Sequence, residues 1–134
     1  MGVRYEWDSD DHIIANIYIE SPWSWTENLE VVKKLMALLV DLNHPCATIV
    51  DVRNYGSLPR DGNIIQILLN VDRSMPDNLF ASAIVGAPYG VTVFMNVLTK
   101  LSTHAERLAL FTSSMEEARE RILARYHELQ AGSL

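Results

Sequence analysis

Between Val3 and Asp8, apolar Val3, Tyr5 and Trp7 alternate with polar Arg4, Glu6 and Asp8, the period-two signature of a strand buried on one face. Asp8-Ser-Asp-Asp11 has turn composition, and Ile13 to Ile19 resumes as a second strand, so the short connection predicts an antiparallel hairpin at one side of a sheet. The period then lengthens. Leu29, Val32, Met36, Leu39 and Val40 recur at helical spacing with Glu30, Lys33, Lys34 and Asp41 largely off the stripe. Ser24 and Glu27 have capping-box spacing, which predicts a helix from there to about Asn43, closed by His44-Pro45. The β-branched run Ala47-Thr-Ile-Val-Asp-Val-Arg53 reads as a buried strand, and a polar loop, Asn54 to Asn63, leads into a helix over about Ile64 to Ser74. Leu79 to Val85 is a second buried strand, and Gly86-Ala-Pro-Tyr-Gly90 turns into a helix bearing Val91, Phe94, Met95, Leu98 and Leu101. A short strand, Leu108 to Phe111, precedes a closing helix in which Met115, Ala118, Ile122, Tyr126 and Leu129 recur, with Ser114 and Glu117 again at capping-box spacing.

The resulting order, β-β-α-β-α-β-α-β-α, predicts an α/β fold: a mainly parallel sheet with an N-terminal antiparallel hairpin and about four helices. Ala47–Val52 and Leu79–Val85 are expected to be neighbouring, parallel central strands, because each is a short apolar run bounded by turns and followed by a helix. The 134 residues fit one domain, 1–134, large enough for a core that needs neither disulfides nor metal.

Composition narrows the partners. A net charge of -6 repels phosphate backbones, and no basic patch offsets it, so nucleic acid is not expected. No run approaches the roughly 18 apolar residues of a membrane span, and no secretory signal opens the chain, so no membrane role is expected. The single cysteine, Cys46, stands just before an apolar strand and reads as a small buried hydrophobe, in keeping with a reducing, cytoplasmic setting.

Candidate chemistry gathers where the first central strand ends. Asp51, Arg53, Asn54 and Ser57 are delivered to the carboxyl edge of the sheet, where open α/β folds place their sites. Tyr89, in the turn after the next strand, belongs to the same edge. An ion pair or loop anchor accounts for Asp51 and Arg53 more simply than catalysis, since no nucleophile or base accompanies them. Asp61 reads as a helix cap or partner contact. Trp23 and Trp25 read as anchors of the first helix on the sheet rather than a ligand cage. His12, His44, His104 and His127 lack the spacing of a zinc site, the acidic turn lacks the further ligands of a calcium loop, and no nucleotide or cofactor fingerprint is present. On the helix from Ile64, the residues Ile65 and Leu69 widen the apolar surface beyond what one sheet contact needs, which predicts a symmetric homodimer.

The element order, the length and the Ile49-Val-Asp51 strand with its loop resemble the STAS family, named for sulphate transporters and anti-sigma-factor antagonists. Closer still is a group of small bacterial STAS-like proteins with a Trp-rich start to the first helix, here Trp23-Ser-Trp-Thr-Glu27. The resemblance implies a non-enzymatic, cytoplasmic protein-interaction or regulatory module. In the antagonist subgroup a phosphorylatable serine opens the helix after this strand; Asp61-Gly-Asn63 offers no hydroxyl there, so the switch does not carry over at that position, and Ser57, a few residues earlier, reads as a turn residue first and a displaced acceptor second. Two other readings stand beside this one. STAS-like folds resemble the CRAL-TRIO lipid-binding fold, which implies a small apolar-ligand carrier, and the Asp51/Arg53 edge would serve an enzyme.

Overall fold

The computed structural model describes residues 2–63, 66, 75–89, 92–93 and 109–132. Strands β1 (Gly2–Trp7) and β2 (Ile14–Glu20), helix α1 (Trp25–Val40), strands β3 (Cys46–Asn54), β4 (Leu79–Val85) and β5 (Ala109–Thr112), and helix α2 (Met115–Gly132) follow in that order. The five strands lie side by side in chain order, β1-β2-β3-β4-β5. β1 pairs antiparallel with β2, Val3 opposite Ile19 and Trp7 opposite Ala15. The other three pairings are parallel. β3 and β4 are thus the neighbouring, parallel interior strands that their apolar runs predict, Val50 lying opposite Ile84 and Asp51 opposite Val85.

Two helices fall among the described residues, against about four expected. The helices expected over 64–74 and 91–101 lie outside them, although Gln66, Tyr89, Thr92 and Val93 are themselves helical. Ile65 and Leu69, the expected dimer flank, also lie outside the described residues.

Each face of the sheet has its own core. On one face Val32, Leu35, Met36 and Leu39 of α1 bury Val3, Ala15, Ile17, Ile19 and Cys46, with Tyr5, Trp7, Val50 and Val52 packed at the margin. On the other, Ala118 and Ile122 of α2 bury Ile14, Ala47, Ile49, Ala81, Ala83 and Val85. The strand alanines let the helix approach closely. Leu35, Leu39, Ile49 and Ile122 are fully buried, and truncating any one to alanine costs about 2–5 kcal/mol.

The caps follow the sequence with two differences. Ser24 Oγ accepts from Glu27 N at 3.0 Å, yet the Glu27 carboxylate lies against Gly2, where the absence of a side chain leaves room for it. At α2 the box closes one residue early: Ser114 Oγ accepts from Glu117 N at 3.1 Å, and Glu117 accepts from the Ser113 amide and hydroxyl at 3.2 and 2.9 Å. Helix α1 stops at Val40 rather than near Asn43. Beyond it the Asn78 side chain donates to the carbonyls of Leu39 (2.8 Å), Leu42 (3.4 Å) and His44 (3.3 Å), so a residue just before β4 satisfies the end of a helix before β3.

Candidate functional site

Strand alternation places Ala47, Ile49, Asp51 and Arg53 on the α2 side of β3, with apolar residues at its start and charged ones at its end. Asp51 is buried, and its carboxylate is saturated by its own neighbour. Arg53 Nε donates to Oδ1 at 2.9 Å, Nη2 to Oδ2 at 2.8 Å and the Arg53 amide to Oδ1 at 3.0 Å. The guanidinium holds Asp51 below the ordinary carboxylate value of 3.8 against the opposing effect of burial. A carboxylate so engaged is a poor general base, because both oxygens are occupied and its proton affinity is reduced. Arg53 also crosses the turn after β4: a Cβ at Gly86, where φ is +78°, would collide with Arg53 Cγ, so glycine there provides the space the arginine occupies.

The Asn54–Asn63 loop is held by the start of α1. Trp23 Nε1 donates to the Tyr55 carbonyl at 2.7 Å and Trp25 Nε1 to the Pro59 carbonyl at 3.0 Å, with the two rings edge to face at 4.8 Å. The pair therefore clamps a loop through its indole N–H groups while Trp23 packs against the core between α1 and the sheet and Trp25 is buried at the start of α1. Asp61 completes the clamp, accepting from Trp25 N at 2.9 Å, Thr26 N at 3.2 Å and Thr26 Oγ1 at 3.1 Å. It is a helix cap, as its residue type suggests, but for α1 and across 35 residues. Gln66 N takes Asn63 Oδ1 instead, at 3.2 Å. The Trp25 and Thr26 amides hold the Asp61 carboxyl below 3.8, an effect reinforced by the positive end of the helix dipole.

What this clamp leaves in solvent is specific. Asn54 and Ser57 are exposed, Leu58 is 48% exposed, and Tyr89, helical and just beyond the turn after β4, is 85% exposed. The structure thus brings Asp51, Arg53, Asn54, Ser57 and Tyr89 to one sheet edge, directs Asp61 to α1, and adds Leu58.

A second polar region escapes sequence reasoning. On the α2 side of β1 and β2 lie Arg4, Glu6, Asp8, Asn16, Tyr18 and Glu20. Arg4 stacks over the Tyr18 ring at 4.1 Å, and the Tyr18 hydroxyl donates to Glu6 at 3.1 Å. Burial, with Glu6 adding to it, raises the Tyr18 pKa. Asp8 leaves the acidic turn altogether. Arg119 of α2 donates to both its oxygens, Nε at 2.8 Å and Nη2 at 2.7 Å, while Asn16 Nδ2 adds a bond at 3.0 Å. The signal available was that Asp8 continues the even-numbered face begun by Arg4 and Glu6.

The remaining candidates are structural. His12 stacks on Trp7 with ring centroids 4.1 Å apart, and His44 Nδ1 lies 2.9 Å from the Pro45 carbonyl. Cys46 is fully buried, and burial pushes its thiol up to about 11, away from reactive thiolate. Among the described residues no three His, Cys, Asp or Glu side chains converge as a metal site, and no helix is long and apolar enough to cross a membrane. No family model matches the chain, and no curated protein or solved structure does.

Proposed function

We propose that this chain is a protein-interaction module of STAS-like type that works by docking a protein partner on the carboxyl edge of its sheet, over Arg53, Leu58 and Tyr89. The observation that carries the reading is the state of that edge. Its one acid, Asp51, is consumed by Arg53 at the end of β3, while a loop fastened to α1 holds out Leu58, and Tyr89 stands exposed after β4. Arginine and tyrosine are the side chains that most often dominate protein interfaces, and a loop already ordered by its hydrogen bonds loses little entropy on docking. The saturated carboxylate argues for recognition over catalysis. Ser57, exposed on the same loop, is where a phosphate would add negative charge to that surface.

Affinity capture from an extract of the producing organism tests this, with the wild type and a Leu58→Asp/Tyr89→Ala variant compared at matched thermal stability. A partner retained by the wild type and lost by the variant supports the docking edge. Equal retention, or a co-purifying apolar small molecule in native mass spectrometry in place of a protein, refutes it.

A further inference from the structure

Among the described residues β1 is an edge strand, with β2 on one side and no strand on the other. Its two hydrogen-bonding sides are distinguishable. The Asp8 amide donates to the Ile14 carbonyl at 2.9 Å, and the pairing runs without a register shift from there to Gly2, so Asp8, Glu6, Arg4 and Gly2 bond to β2. The amides and carbonyls of Val3, Tyr5 and Trp7 therefore point away from the sheet. Among the described residues no backbone group bonds to them.

We propose that this edge pairs antiparallel with β1 of a second copy of the chain, about a two-fold axis at Tyr5, joining the two sheets into one. The register follows from charge. An antiparallel pairing has to match outward-pointing residues with each other, so only registers that pair odd residues with odd ones are open to it. Shifting so that Val3 meets the partner's Tyr5 sets Arg4 against the partner's Arg4. The opposite shift, Tyr5 against the partner's Trp7, sets Glu6 against the partner's Glu6. With Tyr5 on the axis, Arg4 lies opposite the partner's Glu6, and Glu6 opposite the partner's Arg4. These two contacts fall at non-hydrogen-bonded positions, where facing side chains approach most closely. On the other face the same register sets Val3 against the partner's Trp7, apolar on apolar. It also uses the whole strand, with about six backbone hydrogen bonds.

The two charges stand at the surface, 52% and 57% exposed. Arg4 lies 3.7 Å from Glu6, 3.5 Å from Glu20 and over the Tyr18 ring, and Glu6 accepts from the Tyr18 hydroxyl at 3.1 Å; pairing across the axis exchanges or shares these surface contacts, each of which contributes little in solvent. The edge is thus self-complementary in backbone, charge and apolar pattern, as an isologous interface requires. It lies apart from the Arg53–Tyr89 edge, and the inference does not rest on the docking proposed there.

Sedimentation velocity over a rising concentration series tests the pairing. The wild type should form a dimer, and Arg4→Glu or Glu6→Arg alone, each of which sets like charges opposite one another twice, should weaken it at least about tenfold. An equimolar mixture of the two variants restores opposite charges at both positions and should recover association to within about threefold of wild type. Circular dichroism confirms that each variant is folded. A wild type that stays monomeric to several hundred micromolar overturns the proposal. So does a dimer indifferent to both substitutions, which would assign association to another surface such as the Ile65/Leu69 flank, and so does a mixture that fails to recover.

Discussion

Two arginine–carboxylate pairs lie on the same side of this sheet, and their geometries are nearly identical. Arg119 grips Asp8 through Nε and Nη2 at 2.8 and 2.7 Å, and Arg53 grips Asp51 through the same two nitrogens at 2.9 and 2.8 Å. Both acids are largely buried, Asp8 with 11% of its side chain exposed and Asp51 with 7%. What separates them is the chain between the partners. Asp8 and Arg119 meet only in the fold, because 111 positions divide them; Asp51 and Arg53 are two apart and meet in any extended conformation. A contact stabilises only by the extent to which the unfolded chain lacks it. The first pair therefore holds α2 to the hairpin, while the second orients an arginine at an open edge and adds less to stability.

Replacing each arginine by methionine, which keeps the stem and removes the charge, puts this contrast to its hardest test. Arg119→Met strands Asp8 with only the Asn16 amide, and should destabilise by about 2 kcal/mol, below the roughly 3–5 expected of a fully buried pair because Arg119 is itself partly exposed. Urea unfolding measures it. The loss should also depend on pH. Arg119, by its hydrogen bonds first, holds Asp8 below the ordinary 3.8 in the folded state. A carboxyl depressed on folding stabilises fully above its unfolded value and ceases to do so as pH falls through the folded one. The gap between wild type and Arg119→Met should accordingly be widest near neutrality and close in acid. A gap constant with pH would mean that Arg119 acts through packing alone.

Arg53→Met is the sharper half of the comparison. Asp51 keeps the Arg53 backbone amide, and the unfolded chain already brings the two side chains together, so the expected cost is about 1 kcal/mol. A loss equal to that of Arg119→Met would refute the argument from chain separation. Partner capture should respond in the opposite order, since Arg53 stands in the proposed docking edge and Arg119 does not.

The same distinction explains what could be read before the fold was known. Alternation in β1, the apolar runs of β3 and β4 and the stripe of α1 are local patterns, and each element forms where its pattern predicts, α1 ending about three residues early. Asp51 and Arg53 could be located as a pair because strand geometry puts residues two apart on one face. Asp8 can be read both as the end of the polar face of β1 and as the start of the acidic turn with Ser9, Asp10 and Asp11, and nothing local points to Arg119. Asn78 and the Trp23–Trp25 pair share that difficulty, since each satisfies carbonyls more than 30 positions away. Local sequence announces which side chains want partners, whereas packing decides which partners they find.

Asp61 separates chain distance from burial and provides the smallest expected effect. It joins residues 35 and 36 positions away, as a fold-dependent contact should, yet it stands in solvent. If separation alone set the contribution, Asp61→Ala would behave like Arg119→Met. Water, however, replaces an exposed acceptor readily, and the first-turn amides of α1 that lose Asp61 are near enough to the surface to be solvated. The urea midpoint should hardly move. Hydrogen exchange should still register the loss, with the Trp25 and Thr26 amides exchanging a few-fold faster in Asp61→Ala while the amides of β3 are unchanged. Because the folded carboxyl lies below 3.8, wild-type protection at these two amides should persist above that value and fade as pH falls through the folded one, after allowance for intrinsic exchange. Asp61→Asn, which keeps an oxygen acceptor without the charge, should fall between the two. A midpoint shift as large as that of Arg119→Met would show that separation outweighs burial, and would recast the loop as part of the folding core instead of a clamped surface.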